Sequence, residues 1–350
     1  MEKKNIAVLF GGVSSEHDIS LLSAATVLRN LDTEKFNVYP VGITRDGAVY
    51  YYKGDYDRIE HNCWENEEFL TDCVISCNRL HRGLILLDAA YDIIPIDCVI
   101  PALHGKNGED GTVQGLLQLA GIPFVGCDTI SSANCMDKEV THIILERAGI
   151  PMAKFVALRQ GEDLSAKLEE MEQKLGYPMF VKPANAGSSV GVSKASNREE
   201  LKKAIALAFE QDKKVIVEET IVGKEVECAV LGNRNPDPSM PGEIQSANEF
   251  YDFEGKYQNP DSQLFIPARI SEEDTKTLRQ LAVKAYQAMG CSGLSRVDFF
   301  VTDHGPVLNE INTLPGFTSI SMYPKLREAG GLPIPALLEE LIRLAEEGRG

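Results

Sequence analysis

Two stretches near the C-terminal end place oxygen-bearing side chains at spacings that could hold a cation. They are Arg296-Val-Asp298 and Leu308-Asn-Glu310-Ile-Asn312-Thr-Leu-Pro-Gly316-Phe-Thr-Ser. With the turn Thr302-Asp-His-Gly-Pro306 between them they read as a hairpin centred near His304, which sets Asp298 opposite Glu310. Glu310 and Asn312 are two apart and share a face of their strand. Opposed Cβ atoms in such a pair lie about 4.5–5.5 Å apart, so two carboxylates and an amide could surround one cation cluster. Hard oxygen ligands of this kind suit Mg²⁺, which keeps waters and takes further ligands from nucleotide phosphates. Asp298 alone is equally a surface acid on a hairpin; the Asn-Thr-Leu-Pro-Gly-Phe-Thr-Ser tail is what favours the metal reading.

Other segments suggest partners for such a cation. Lys182-Pro-Ala-Asn-Ala-Gly187-Ser188-Ser189-Val-Gly191 is a cation followed by a small-residue loop, whose backbone N–H groups could approach phosphate oxygens. The Lys precedes the glycines, so it is not a Walker loop, and Gly11-Gly12-Val-Ser-Ser-Glu16 does not complete a dinucleotide fingerprint. By itself the Lys182 loop is equally an ordinary strand-to-strand turn. Glu218-Glu219-Thr220-Ile221 ends an apolar strand, with Glu225 close behind, and could meet an adenine and its ribose, although most Glu residues at strand ends are simply solvated. Glu16 and His104 each follow a strand of the first third of the chain, at the edge where parallel α/β sheets gather ligands. A carboxylate there could hold a substrate ammonium; a lone His is more often structural.

The elements that must position these residues alternate. Asn5–Phe10, Phe36–Ile43, Cys98–Leu103 and Ile122–Val125 read as strands, with helical patterns at Ile19–Leu31 and Gly111–Leu119. This predicts a parallel α/β domain over residues 1–128. A helix from about Ser131 to Ala148 leads into a central unit, 129–222, with strands Phe180–Lys182 and Val215–Val217 and a helix near Arg198–Glu210. The last unit, 223–350, is α+β: the strand Glu225–Leu231, the helix Glu272–Met289, the hairpin, and a final helix Ile334–Glu346. Residues 246–264 have no clean period and carry Tyr251, Phe253, Lys256 and Tyr257, which suggests an ordered lid that excludes water. The Asn233–Pro241 segment, with its three prolines, reads as an exposed loop.

Bulk properties narrow the classes. The 350 residues are 43% hydrophobic and 25% charged, with a formal charge of −17, which argues against a nucleic-acid partner and not against ATP. No apolar run of about 18 residues suggests a membrane span, and no signal-peptide core follows Met1. The eight cysteines are scattered without a Cys-x-x-Cys pair, so they read as reduced and the chain as cytoplasmic.

Together these pieces resemble the ATP-grasp superfamily and, within it, the D-alanine–D-alanine ligases, over essentially the whole chain. The resemblance rests on Phe10-Gly-Gly-Val-Ser-Ser-Glu-His-Asp-Ile-Ser20, Leu103-His-Gly-Lys-Asn-Gly-Glu-Asp-Gly111, Met136-Asp-Lys138, the Lys182–Gly191 loop, Glu249-Phe-Tyr-Asp-Phe-Glu-Gly-Lys-Tyr257 and Asn309–Thr318. It implies a three-domain ATP-grasp architecture and a two-step reaction serving peptidoglycan synthesis and cell shape: one D-alanine carboxylate attacks the ATP γ-phosphate, and a second D-alanine amine then displaces phosphate from the acyl phosphate. It further implies that Lys138, Lys182, Ser189 and Lys256 meet ATP phosphates, and that Glu218, Glu219, Ile221 and Glu225 surround the nucleoside. Asp298, Glu310 and Asn312 would hold two Mg²⁺ ions, for which Mn²⁺ could substitute. Glu16 would grip the first ammonium, linked through Ser188 to Tyr257 on the lid, with His104 nearby. Arg296 and the Gly316 N–H would stabilise the oxyanion, and Ser321 with the Met322 backbone would receive the second carboxylate. Tyr257 differs from the residue, often His, of D-lactate-using relatives, and Met322 from the Arg of D-serine-using ones. Arg327 stands where many members have Trp. The resemblance also implies a homodimer.

Overall fold

The apolar run from Asn5 to Phe10 builds the centre of the first sheet. In the computed structural model, which describes residues 3–187, 191–245 and 263–348, this strand is β1 (Lys4–Gly11), and its side chains from Ile6 to Phe10 are fully buried. It pairs in parallel with β2 (Phe36–Ile43) on one side and β7 (Cys98–Pro101) on the other. Strand continuity ends at Gly11 and Gly12, whose φ values of 83° and 100° lie in the left-handed region that favours glycine. The chain then enters α1 (His17–Asn30), and the Gly11 N–H donates to Ser20 Oγ at 2.8 Å.

Beyond β2 the sheet continues in a way the sequence did not suggest. The strands β3 (Val49–Tyr52), β4 (Leu70–Ile75), β5 (Gly83–Leu86) and β6 (Ile93–Pro95) extend it as an antiparallel meander, in the order β6-β5-β4-β3-β2-β1-β7. Only the β2-β1-β7 part is parallel. These strands are short, and apart from β5 they are partly exposed and lack the continuous apolar runs that mark buried parallel strands. Ile122–Val125, expected as a strand, makes a single parallel bridge from Phe124 to Val99. A short α2 (Tyr56–Glu60) and α3 (Thr112–Ala120) complete this unit.

The helix expected over 131–148 is two, α4 (Thr129–Met136) and α5 (Lys138–Arg147). Asp137 breaks it: its backbone is extended, its carboxylate accepts from Val140 N at 3.2 Å, and it caps α5. The break puts Lys138 at the first turn of α5, where its N–H reaches Ala184 O at 3.0 Å. The central sheet follows, in the order β10 (Ser193–Ala195), β9 (Met179–Pro183), β11 (Lys214–Glu219), β8 (Phe155–Arg159), antiparallel throughout. Helices α6 (Leu164–Lys174) and α7 (Arg198–Phe209) bury Leu168, Met171, Leu201 and Ile205 against it.

The third sheet runs β15 (Gln263–Phe265), β14 (Gly242–Gln245), β12 (Lys224–Leu231), β16 (Leu294–Thr302), β17 (Gly305–Asn312), with β13 (Asp237–Pro238) pairing β12. Strand β13 lies inside the Asn233–Pro241 stretch expected as an exposed loop, where Ser239 is buried and Met240 exposed. Helix α8 (Glu272–Ala288) covers one face of the sheet. The following α9 (Met322–Ala329) and α10 (Ile334–Glu347) pack together, and α10 returns to α1 and β7. One core therefore joins Phe10, Leu28 and Trp64 to Tyr323, Leu326 and Leu341. Arg327 fills its place in α9 through ion-pair and carbonyl contacts: Nη1 lies 2.8 Å from Asp237 Oδ2, and Nη2 donates to Ala229 O at 2.5 Å. Among the described residues no helix is long and apolar enough to cross a membrane.

Candidate active site

The hairpin of β16 and β17 carries the acids, by a route the sequence did not disclose. Its turn falls between Asp303 and His304, since Thr302 pairs with Gly305 and Phe299 with Leu308. Continued without interruption, that register would set Asp298 against Asn309. A β-bulge at Asp298/Phe299 slips the ladder by one residue, so that Asp298 faces Glu310 and Arg296 faces Asn312. On the other side of β16, Glu227 of β12 pairs with Asp298. Glu227, Asp298 and Glu310 thus form one row across three strands. Glu227 was not singled out from the sequence; the alternation of Glu225 and Glu227 with the buried Val226 and Cys228 was the available signal.

Arg296 organises this row. Its Nε and Nη2 donate to the two Asp298 oxygens at 2.8 and 2.6 Å, and Nε lies 3.0 Å from Glu227 Oε2. Burial works against the guanidinium charge, but Asp298, Glu227 and Glu310 outweigh it and hold Arg296 firmly protonated. Asn312 Nδ2 is 2.9 Å from Asp298 Oδ2 and 3.4 Å from Glu310 Oε1. Two carboxylates and an amide within these distances are a donor set for a hard divalent cation. The fit requires the Asn312 amide to turn its oxygen inward. Among the described residues no three His, Cys, Asp or Glu side chains form a metal site unaided.

Lys182 and Glu218 lie on the neighbouring strands β9 and β11 and meet as a close pair, Nζ–Oε2 2.6 Å, with His142 Nε2 of α5 2.9 Å from the other carboxylate oxygen. Burial alone would raise the Glu218 carboxyl; Lys182 and His142 overcome it and hold it down at about 2. Lys182 Nζ also lies 3.3 Å from Oδ1 of Asn309, the residue that the bulge inserts. Lys138 Nζ donates to Ala186 O at 2.7 Å, and Glu219 Oε1 accepts from Lys154 N at 2.8 Å. Lys138, Lys182, Glu218, Glu219, Ile221 and Glu225 line one cavity of about 550 Å³, which Asp298 and Glu310 close at one end. That volume suits a nucleotide.

A second, smaller cavity of about 100 Å³ adjoins it at Glu310 and Glu227 and holds Glu16, His104, Glu109, Arg296, Gly316, Ser321 and Met322. Glu16 is the N-cap residue of α1, without a side-chain cap bond, and its Oε2 would stand 2.7 Å from a Cβ placed on Gly187, so that glycine leaves room for this carboxylate. A Cβ on Gly316 would come within 2.8 Å of Ser321 Oγ, which accepts from Thr318 N at 3.0 Å. Burial pushes His104 down to about 4, helped by Arg296, so the ring is neutral. Glu109 was also missed in the sequence: burial and the nearby Glu16 push its carboxyl up to about 8, against a 2.8 Å bond from Gly105 N. Ser188, Ser189, Lys256 and Tyr257, and with them most of the expected lid, lie outside the described residues.

The model of the D-ala D-ala ligase N-terminus matches residues 5–127, and that of the C-terminus residues 144–343. The D-alanine–D-alanine ligase of Acetivibrio thermocellus is 49% identical, over 98% of this chain and 96% of its own; that of Thermoanaerobacter pseudethanolicus is 49% identical over 99% and 98%. Among solved structures, the VanG D-Ala:D-Ser ligase from Enterococcus faecalis superposes with a TM-score of 0.91 at 47% identity, covering 98% of this chain and 100% of that one. The D-alanine–D-alanine ligase from Coxiella burnetii gives 0.87 at 36% identity, covering 99% and 96%. The chain belongs to the D-alanine–D-alanine ligase family.

Proposed function

We propose that this chain joins two D-alanines into D-alanyl-D-alanine, with ATP cleaved to ADP and phosphate, as a step of peptidoglycan precursor synthesis in the cytoplasm. The observation that carries the reading is the Glu227–Asp298–Glu310 row with Arg296 and Asn312 beside it, at the junction of a nucleotide-sized cavity and an amino-acid-sized one. Residues 1–128, 129–222 and 223–350 are its three domains.

Lys138 and Lys182 oppose the phosphate charges in the larger cavity, while Ile221 and Glu225 flank the nucleoside. Glu218 acts mainly through Lys182, holding that ammonium in place. Glu16 grips the ammonium of the first D-alanine, so its carboxylate faces the γ-phosphate; the expected link from Glu16 through Ser188 to Tyr257 completes this side. Phosphoryl transfer needs charge neutralisation and alignment more than covalent help. Asp298, Glu310 and Asn312 would hold two Mg²⁺ ions, which when bound screen the β- and γ-phosphates. Ser321 and the first backbone N–H groups of α9 receive the carboxylate of the second D-alanine. Its amine attacks the acyl phosphate carbonyl, and Arg296 with the Gly316 N–H stabilises the oxyanion until phosphate leaves. We place the active form as a homodimer, which sedimentation would test.

The deciding assay incubates the protein with ATP, Mg²⁺ and an equal mixture of D-alanine, D-serine and D-lactate, and identifies the products by mass. D-Alanyl-D-alanine should dominate. The likeness to a D-Ala:D-Ser ligase gives D-serine as the second reading, and Met322 favours D-alanine because D-serine-using relatives tend to carry Arg there. A product containing D-serine would overturn the specificity, and ADP formation at background with every acceptor would overturn the enzyme reading.

A further inference from the structure

His104 lines the amino-acid cavity, yet its ring is already engaged by Ser23 and by the Leu314 backbone. Its Nε2 lies 2.9 Å from Ser23 Oγ, and the Leu314 backbone takes a hydrogen bond from the ring. Ser23 Oγ in turn accepts from the Phe317 N–H at 3.3 Å. One assignment of protons satisfies every group: His104 donates to the Leu314 carbonyl, Ser23 O–H donates to the other ring nitrogen, and Phe317 N–H donates to Ser23. Leu314 and Phe317 bracket Pro315-Gly316, and Pro315 has a fixed φ. A Cβ on Gly316 would lie 4.0 Å from Ser23 Oγ, so the serine sits directly beneath that glycine. A small cavity of about 20 Å³ behind the pair is lined mostly by apolar side chains, Val27, Ile100 and Leu338 among them. A hydroxyl or imidazole left unbonded there would carry a desolvation cost.

Ser23 belongs to α1, whose N-cap is Glu16. Seven residues are nearly two full turns, so both side chains rise from one face, about 10 Å apart along the axis. We infer that Ser23 and His104 are positioning residues: they fix the direction of the Gly316 N–H, and α1 acts as a ruler between the ammonium grip at Glu16 and the oxyanion donor. His104 on this reading moves no proton. The inference rests on the proposed ligase reaction.

The test measures ADP and dipeptide in the same reaction for wild type, Ser23→Ala, His104→Ala and His104→Gln. If the Gly316 N–H is misaimed, the amine attacks slowly and the acyl phosphate meets water instead, which returns D-alanine and phosphate. Ser23→Ala and His104→Ala should therefore lower dipeptide kcat about 10–100-fold and raise the ADP-to-dipeptide ratio above one, with KM for ATP unchanged. His104→Gln, whose amide can both accept from Ser23 and donate to Leu314, should restore a ratio near one. A ratio that stays at one while kcat and thermal stability fall together would mean that the two residues only support the fold, and would overturn the inference. So would a His104→Gln enzyme as impaired as His104→Ala, the result expected of a proton carrier. If Ser23→Ala does not fold, the two His104 variants decide the matter. Absence of dipeptide from the wild-type protein would instead count against the ligase reading itself.

Discussion

Replacing Arg296 with Ala should change two measurable quantities in opposite directions. The guanidinium occupies both Asp298 oxygens, at 2.8 and 2.6 Å, which are the oxygens a cation would use. It also stands beside Glu227 at 3.0 Å, a second carboxylate to which it can turn. Losing one oxyanion donor costs about 3–4 kcal/mol of transition-state stabilisation, so kcat should fall roughly 10²–10³-fold. Metal binding should move the other way. Two unit charges with centres about 4 Å apart interact by about 4 kcal/mol at an effective dielectric constant near 20. A third to a half of that, lost with Arg296 as a competitor, predicts roughly 10–30-fold tighter binding of Mn²⁺ or Mg²⁺. Arg296→Lys keeps the charge without the two-pronged grip and should lie between the two in both respects. The assays are ADP release with saturating D-alanine and ATP, and titration of Mn²⁺ into the protein by paramagnetic resonance. Unchanged kcat would remove Arg296 from the chemistry, and weaker Mn²⁺ binding would refute the competition reasoning.

Glu218→Gln should flatten the acid side of the stability profile. The folded carboxyl at about 2 lies below its ordinary 4.5, so its contribution is fully present above about pH 4.5 and is lost as pH falls towards 2. The whole contribution is on the order of 3 kcal/mol, of which about 2 kcal/mol is lost between pH 7 and pH 3, read as a difference in urea midpoints that the variant should lack. Gly42→Ala would push a methyl into the ring of Trp64 and against Phe10 in the buried core. It should cost about 1–3 kcal/mol, and Trp64, the sole tryptophan, reports the lower melting temperature by its own fluorescence. Met322→Arg should raise D-serine use relative to D-alanine in the competition assay; an unchanged product ratio would remove Met322 from acceptor selection.

What was legible in the sequence was mostly local. Short apolar runs such as Asn5–Phe10, the amphipathic periods of α8 and α10, and the Gly11-Gly12 break follow from side-chain periodicity and backbone sterics over a few residues. The acids of the hairpin were legible too, because residue type and two-residue spacing name a face. Their pairing was reached with an incomplete register: a two-residue turn alone would have put Asn309 opposite Asp298, and the bulge that corrects it has no strong local signature. The strands β3–β6 were missed because they are only three to six residues long, too short to carry a clear pattern.

The sequence by itself determined which residues could do chemistry, since Asp, Glu, Asn, Lys and Arg at fixed spacings limit the possible ligands. Only the tertiary structure decided how they are shared. Arg296 lies between Asp298 and Glu227, Lys182 between Glu218 and Asn309, and the His104 ring between α1 and the Gly316 loop. Apart from Arg296–Asp298, two residues apart on β16, each of these contacts joins strands, helices or loops far apart along the chain. Their geometry depends on sheet register and on the packing of α10 back onto α1, which no local pattern of residues encodes.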